Sequence, residues 1–325
     1  MTALLDVQGL SVGMNSGAAE IRLVDDVSFQ VGAGEAYGIV GESGCGKSTT
    51  IRAVIRLLAG RLRVIAGHVL FAGTDLAQLG EPALQGVRGA GIGMVFQDPM
   101  TALNPVLPVG RQIAEGLRYH RQAAGADRAG RVLEVMRLVG LPDPARIATA
   151  LPHELSGGQR QRVAIAIALA CAPRLLLADE PTTALDVTIQ DQILRLLSDL
   201  RRTLGMGLVL VTHDLGVVAQ TCGRVAVMYA GRIVEEAPVA RLFAAPAHPY
   251  TLALLASIPR GARMRHALHP IAGLPPDPAR RPPGCPFEPR CPRRLERCAT
   301  VMPPFAAART GGGVACHNSV PPAHG

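Results

Sequence analysis

The stretch GESGCGKS, Gly41 to Ser48, constrains the fold more than any other because of what flanks it. Upstream, AYGIV is a short continuous apolar run of the kind that forms a fully buried strand. Downstream, Ile51, Val54, Ile55 and Leu58 recur at i, i+3, i+4 and i+7, one face of an amphipathic helix. A strand, a Gly-rich turn and a helix in that order open a parallel α/β unit, so the fold class is read as α/β with a parallel-sheet core. The stretch also fits G-x-x-x-x-G-K-[ST], in which glycines let the backbone wrap a phosphate with its amide hydrogens pointing inward. The helix that follows adds its positive N-terminus. Gly41, Glu42, Ser43, Gly44, Cys45, Gly46, Lys47, Ser48 and Thr49 are therefore the candidate triphosphate-binding residues, with Lys47 reaching the β- and γ-phosphates and Ser48 ligating Mg²⁺. Composition supports this choice. Of 33 basic residues only position 47 is Lys, so an Arg-using sequence keeps one compact ammonium at this place. Cys45 reads either as a thiol activated by the helix N-terminus or simply as a small residue tolerated in the loop.

Two further strings carry chemistry. LLLADE ends a second buried run with adjacent carboxylates, placing Asp179 to hold the Mg²⁺ shell and Glu180 to polarise an attacking water. LSGGQ, Leu155 to Gln159, sets Ser156 and Gln159 three apart, the spacing of a capping box at a helix start. Gly157 and Gly158 leave that helix end bare, so Ser156 and the two glycine amides can approach a γ-phosphate. Around these strings the chain alternates. Val27, Phe29 and Val31 read as a strand, and residues 90–160 as a helical region broken at Pro105, Pro108, Pro142 and Pro144. Ile189, Ile193, Leu196, Leu197, Leu200 and Leu204 line one helix face, LVLVTHD is a buried strand, and VMYAGRIVEE is a hairpin turning at Ala230-Gly231.

Hydrophobic residues are 48% of the 325 and aromatics 3%, with no Trp, so the core must be aliphatic. Neither an 18-residue apolar run nor a basic-then-apolar leader is present, and a soluble, cytosolic chain is expected. After about residue 257 the composition turns to Pro, Arg and Cys, which cannot build a helical core. Residues 260–325 hold ten Arg against Asp277, Glu288 and Glu296, while the rest carries 23 basic and 22 acidic residues. That tail is either a solvated segment or a docking surface for acidic lipid or protein.

The motifs together resemble the ABC ATPase family over residues 1–240. The resemblance implies a parallel-sheet core with an N-terminal antiparallel β subdomain and a helical signature subdomain at about 90–165. It adds Gln97 in MVFQDP as a sensor of Mg²⁺ and water, Asp186 in TTALD as a bridge between ATPase subunits, and His213 in LVTHD as a γ-phosphate contact. It also implies a head-to-tail dimer in which Ser156, Gly157, Gly158 and Gln159 act on the partner's ATP. The aromatic residue that the family stacks on adenine is missing, leaving Met14 or Arg22 as the base platform.

HPYTLALL and the Cys-rich segment after it resemble the C-terminal extension of oligopeptide and dipeptide importer ATPases, giving a second region at 241–325. The implied activity is ATP hydrolysis driving import of di- or oligopeptides, with nickel or glutathione as alternative cargo. The implied partners are two transmembrane permease subunits at the cytoplasmic face of the cell membrane, a second ATPase subunit (a paralogue by family habit), and indirectly an extracytoplasmic substrate-binding protein. A nucleic-acid-acting ABC ATPase is the reading from another class. It is disfavoured because residues 260–325 offer only Phe287 and Phe305 for base stacking. Cys285, Cys291, Cys298 and Cys316, spaced C-x5-C-x6-C-x17-C, lack a zinc knuckle and suit a [4Fe–4S] cluster, as the resemblance also implies. Zinc, unmetallated thiols and His317 as a substitute ligand remain alternatives.

Overall fold

The chain is described by a computed structural model at residues 3–15, 20–98, 102–121, 125–183, 185–257, 271–307 and 312–320. Strands β1 (Leu5–Asn15), β2 (Glu20–Val31) and β3 (Ala36–Val40) lead into helix α1 (Lys47–Val54). Strands β4 (Arg63–Phe71) and β5 (Thr74–Asp75), helix α2 (Glu81–Val87) and strand β6 (Ile92–Val95) come next. Helices α3 (Val109–Tyr119), α4 (Gly125–Leu138), α5 (Pro144–Thr149) and α6 (Gly157–Leu169) then run in succession. Strand β7 (Leu175–Asp179), helix α7 (Val187–Leu204), strand β8 (Gly207–Thr212) and helix α8 (Leu215–Thr221) restore the α/β alternation. Strands β9 (Arg224–Tyr229) and β10 (Arg232–Pro238), helices α9 (Val239–Ala244) and α10 (Pro249–Ala256), and two-residue strands β11 (Ala306–Ala307) and β12 (Gly313–Val314) complete the order. None of the described helices is long and apolar enough to cross a membrane.

The chain divides into two units, one of Met1–Leu5, Val31–Ala36 and Phe71–Val211, the other of Asp6–Gln30, Tyr37–Leu70 and Thr212–Gly325. In the first, β6 and β8 flank β7 in parallel, with Val95 opposite Ala178 and Asp179 opposite Val211. Every residue of β7 and β8 is buried, as parallel strands covered on both faces require. The span 90–160, read as helical, opens instead with strand β6, and helices α3 to α6 follow from Val109; Pro108 precedes α3, and Pro144 opens α5 behind Asp143, whose carboxylate accepts the Arg146 N–H. Ile113, Val135, Met136, Ile147, Val163 and Ile165 are wholly buried between these helices. The stripe on α7 buries Ile193, Leu197 and Leu200 but leaves Leu204 exposed, because the helix ends there at Gly205 in the left-handed region.

In the second unit β2, β1 and β4 lie side by side, and β3 pairs in parallel with β9 over Tyr37–Val40. The β9–β10 hairpin turns at Ala230 (φ 45°) and Gly231 (φ 81°), the left-handed pair that matches strand twist. Strand β12 adds to β10 antiparallel, with Glu235 opposite Val314, and β11 adds to β12, so the C-terminal segment covers a sheet edge. Between 271 and 307 the chain forms only 3-10 turns besides β11, in keeping with its prolines. Its anchor is Phe287, 1% exposed, whose ring meets Tyr229 at 5.3 Å, Tyr250 at 5.4 Å and His248 at 5.9 Å. Aromatic pairs of this kind contribute about 0.5–1.5 kcal/mol each beyond area burial.

His248 is 1% exposed, and its Nδ1 accepts the Tyr250 N–H at 3.0 Å, which requires a neutral ring. Glu235, equally buried, accepts the N–H groups of Ala247 and His248, each at 2.8 Å. Burial holds the His248 pKa down to about 3, against 6.5 for a free histidine. The unfolded chain therefore binds this proton below pH 6.5 and the folded chain does not until about pH 3, so stability falls across that window as pH drops. The limiting slope is about 1.4 kcal/mol per pH unit. Melting temperatures measured from pH 7 to 5 should fall more steeply for the wild type than for His248→Gln, and parallel curves would contradict the assignment.

Candidate active site

The Gly41–Ser48 stretch, the candidate phosphate loop, runs from β3 into α1, in the second unit. Gly41 passes so close to β9 that a Cβ there would stand 2.2 Å from the Met228 carbonyl oxygen, so no larger residue fits. Gly46 precedes α1 with φ 104°, a conformation that L side chains resist. Lys47 is 4% exposed and donates from Nζ to the carbonyl oxygens of Gly41 at 2.8 Å and Glu42 at 3.0 Å, so its ammonium sits inside the curl of the loop. Gly231 N–H donates to the Cys45 oxygen at 2.8 Å, tying the loop to the β9–β10 turn. Ser48 and Thr49, half-buried, occupy the first turn of α1, where helix N–H groups lack intrahelical partners. Ser43 and Gly44 are exposed. Burial pushes the Cys45 thiol pKa up, only partly offset by Lys47, so Cys45 is not the activated thiol that its helix-terminal position allowed.

His213 is exposed at the end of β8, between Thr212, whose Oγ1 accepts the Asp214 N–H at 3.0 Å, and Asp214, whose carboxylate caps α8 through Gly216 N–H at 2.7 Å. Met14 lies half-buried on β1. Arg22 is held by Glu20 at 2.8 Å and Asp25 at 3.2 Å.

The first unit carries the acidic pair. Asp179 is wholly buried as the last residue of β7. Glu180 follows with φ 45°, a left-handed conformation costing a non-glycine residue about 1–3 kcal/mol. It is held there by its N–H donating to Val211 oxygen at 2.9 Å and by Thr183 Oγ1 donating to its carboxylate at 2.9 Å. Gln97, exposed after β6, reaches the same carboxylate from Nε2 at 3.4 Å. The strain and the two side-chain donors fix the Glu180 carboxylate at the strand end rather than letting it lie along the chain.

The LSGGQ segment opens helix α6. Ser156 Oγ accepts the Gln159 N–H at 3.3 Å, and Gln159 Oε1 accepts the Ser156 N–H at 3.0 Å, the reciprocal box read from the spacing. Ser156 and Gly157 are exposed and Gly158 packs toward Ile189, where a Cβ would come within 3.1 Å. Asp186, exposed, caps α7 by accepting the Ile189 N–H at 2.9 Å.

Two contacts to the phosphate loop escaped sequence inspection. Tyr250 Oη accepts the Glu42 N–H at 2.9 Å, and Arg290 grips the Glu42 carboxylate through Nη1 at 2.7 Å and Nη2 at 2.9 Å. Neither contact has a local signal in the sequence, because the cluster of Tyr229, Tyr250 and Phe287 that seats them forms only in the fold.

In the tail all four cysteines are free thiols, Cys285 and Cys298 buried and Cys291 and Cys316 half-buried. Burial raises the Cys285 pKa to about 11 and also raises those of Cys291 and Cys316, and the neighbouring cysteines add to each shift. The N–H of Leu295 reaches Cys298 Sγ at 3.4 Å and that of Asn318 reaches Cys316 Sγ at 3.4 Å. Among the described residues no three His, Cys, Asp or Glu side chains are grouped to hold a single metal ion.

Comparison with known proteins agrees with this geometry. The ABC transporter family matches residues 24–183, and the oligopeptide/dipeptide transporter C-terminal region matches residues 234–298. The dipeptide transport ATP-binding protein DppD of Bacillus subtilis is 48% identical over 304 residues, 93% of this chain and 91% of that protein. DppD of Haemophilus influenzae is 48% identical over 301 residues, 93% of this chain and 91% of its own. Among solved structures, a dimeric bacterial ABC transporter cassette, MJ0796, superposes with TM-score 0.65 at 32% identity, covering 72% of this chain and 98% of its own. The same cassette is known as a dimer in a post-hydrolysis state bound to ADP and Pi, with the same score and coverage. The chain has the ABC ATPase cassette fold and belongs to the ABC transporter family, among the ATP-binding subunits that carry the oligopeptide/dipeptide transporter C-terminal region.

Proposed function

We propose that this chain hydrolyses ATP to power import of di- or oligopeptides across the cytoplasmic membrane. What carries the proposal is that relatives named for dipeptide transport match it over both the cassette and the C-terminal extension. In the proposed chemistry the loop from Gly41 to Thr49 cradles the triphosphate, and Lys47 bears on its β- and γ-phosphates. Ser48, Gln97 and Asp179 would hold Mg²⁺, whose charge neutralises that developing on the transferred phosphoryl group. Glu180 polarises the water, His213 orients it, and the fixed position of the Glu180 carboxylate is what supports its role. Ser156, Gly157, Gly158 and Gln159 act on the partner's ATP, and Asp186 bridges the two ATPase subunits. The exposed serine and glycine of the capped helix end support that role.

Residues 1–240 form the ATPase region and 241–325 the importer-type extension. The partners are two permease subunits and a second, paralogous ATPase subunit at the cytoplasmic face, with a substrate-binding protein engaged indirectly and no nucleic acid. By the resemblance of the extension to that of peptide-importer ATPases, Cys285, Cys291, Cys298 and Cys316 would hold a [4Fe–4S] cluster. This rests on the four-cysteine spacing of the extension and on the N–H donors of Leu295 and Asn318 to the Cys298 and Cys316 sulfurs, the hydrogen bonding that such clusters use. Anaerobically purified chain should absorb near 400 nm, and colourless protein with stoichiometric zinc would refute the cluster. Transport itself is tested by isolating the native complex and identifying its subunits by mass spectrometry. Two permeases and a second cassette are expected, whereas nucleic acid without membrane subunits would favour the other class of ABC ATPase.

A further inference from the structure

An anion-binding loop is a poor place for a carboxylate, yet Glu42 is the second residue of this one. Left uncompensated, its charge would oppose a triphosphate and draw its side chain toward Lys47. Arg290 prevents both. Its fork makes two parallel hydrogen bonds to Glu42, at 2.7 and 2.9 Å, with its side chain only 5% exposed. The remaining donors are also engaged: Nε with Ala272 oxygen at 2.9 Å, Nη2 with Ile271 oxygen at 3.1 Å, and Nη1 with Tyr229 Oη at 3.2 Å. The guanidinium also lies 5.8 Å from the Tyr229 ring centre. Glu42 is held from a second side by Tyr250 Oη, which accepts its N–H. Tyr250 sits on α10 and Arg290 immediately before Cys291, so both contacts issue from the C-terminal extension.

We propose that Arg290 is a positioning residue of the nucleotide site: reaching from the Cys-rich extension, it neutralises Glu42 and orients the phosphate loop, so that the extension sets nucleotide affinity. The inference rests on nucleotide binding at this loop as proposed above. It assigns the extension a task inside the ATPase cycle, besides any metal that its cysteines bind.

The test is equilibrium binding of MgATP to the full chain. Arg290→Gln should weaken binding about tenfold (about 1.4 kcal/mol), and more at low ionic strength, where an unscreened carboxylate repels phosphate more strongly. Glu42→Gln added to that variant should recover most of the loss, because the charge needing compensation is gone. A purely structural role for Arg290 would not be rescued this way. Arg294→Gln serves as the control from the same segment. Arg294 is 62% exposed and only loosely paired with Glu288 at 3.6 Å, so its loss should leave affinity unchanged. If Arg290→Gln does not fold, Glu42→Gln must restore both folding and binding. Unchanged affinity in Arg290→Gln, or no recovery in the double variant, overturns the proposal. A wild-type chain that binds no MgATP, or that binds equally well as Lys47→Ala, overturns nucleotide binding at the loop instead.

Discussion

Glu180→Gln should bind MgATP as tightly as the wild type but hydrolyse it more slowly by about a hundredfold or more, within the usual range for loss of a general base. The amide is isosteric, so Thr183 Oγ1 still finds an oxygen acceptor and the left-handed turn at position 180 keeps its support. What disappears is the negative charge that draws a proton from the attacking water. Binding survives because the loop around Lys47 is untouched, and the nucleotide-loaded dimer then accumulates for want of the step that reopens it, a shift of population toward the closed state. Steady-state phosphate release and size-exclusion chromatography in MgATP check the two halves. Turnover at the wild-type rate would remove Glu180 from the chemistry.

Lys47→Ala should lose MgATP affinity by about a hundredfold or more, since charge-assisted hydrogen bonds are worth about 1.5–3 kcal/mol each. Lys47→Arg should fail as well. The lysine is 4% exposed and its ammonium fits between the Gly41 and Glu42 carbonyl oxygens, a space for a compact donor and not for a planar fork. Isothermal titration calorimetry would show it, and nucleotide binding by Lys47→Arg at wild-type strength would contradict this view of the site. In a chain with 32 arginines, the single lysine marks the place where arginine cannot serve.

Local chemistry was legible where a few adjacent residues dictate it. The strand before the phosphate loop, the Ser156–Gln159 box and the Ala230-Gly231 hairpin each follow from steric or hydrogen-bonding rules acting within a few residues of chain. The bend at Glu180 was not legible, because a left-handed glutamate is enforced by Val211 from the neighbouring strand. Cys45 illustrates the same limit: its helix-terminal position suggested an activated thiol, but burial beneath the loop decides its pKa. The grip of Arg290 on Glu42 spans 248 residues, and nothing near either one announces it. Sequence rules end where long-range packing begins.

On the function proposed above, ATP gripped at Lys47 and cleaved with the help of Glu180 drives peptides inward. Uptake of a radiolabelled dipeptide into membrane vesicles, with the native binding protein supplied outside and MgATP inside, tests it most directly. Vesicles bearing the wild-type chain should accumulate the dipeptide against its gradient, and vesicles bearing Glu180→Gln should not. Equal accumulation with and without that carboxylate, or none in either case from an intact complex, would contradict the account.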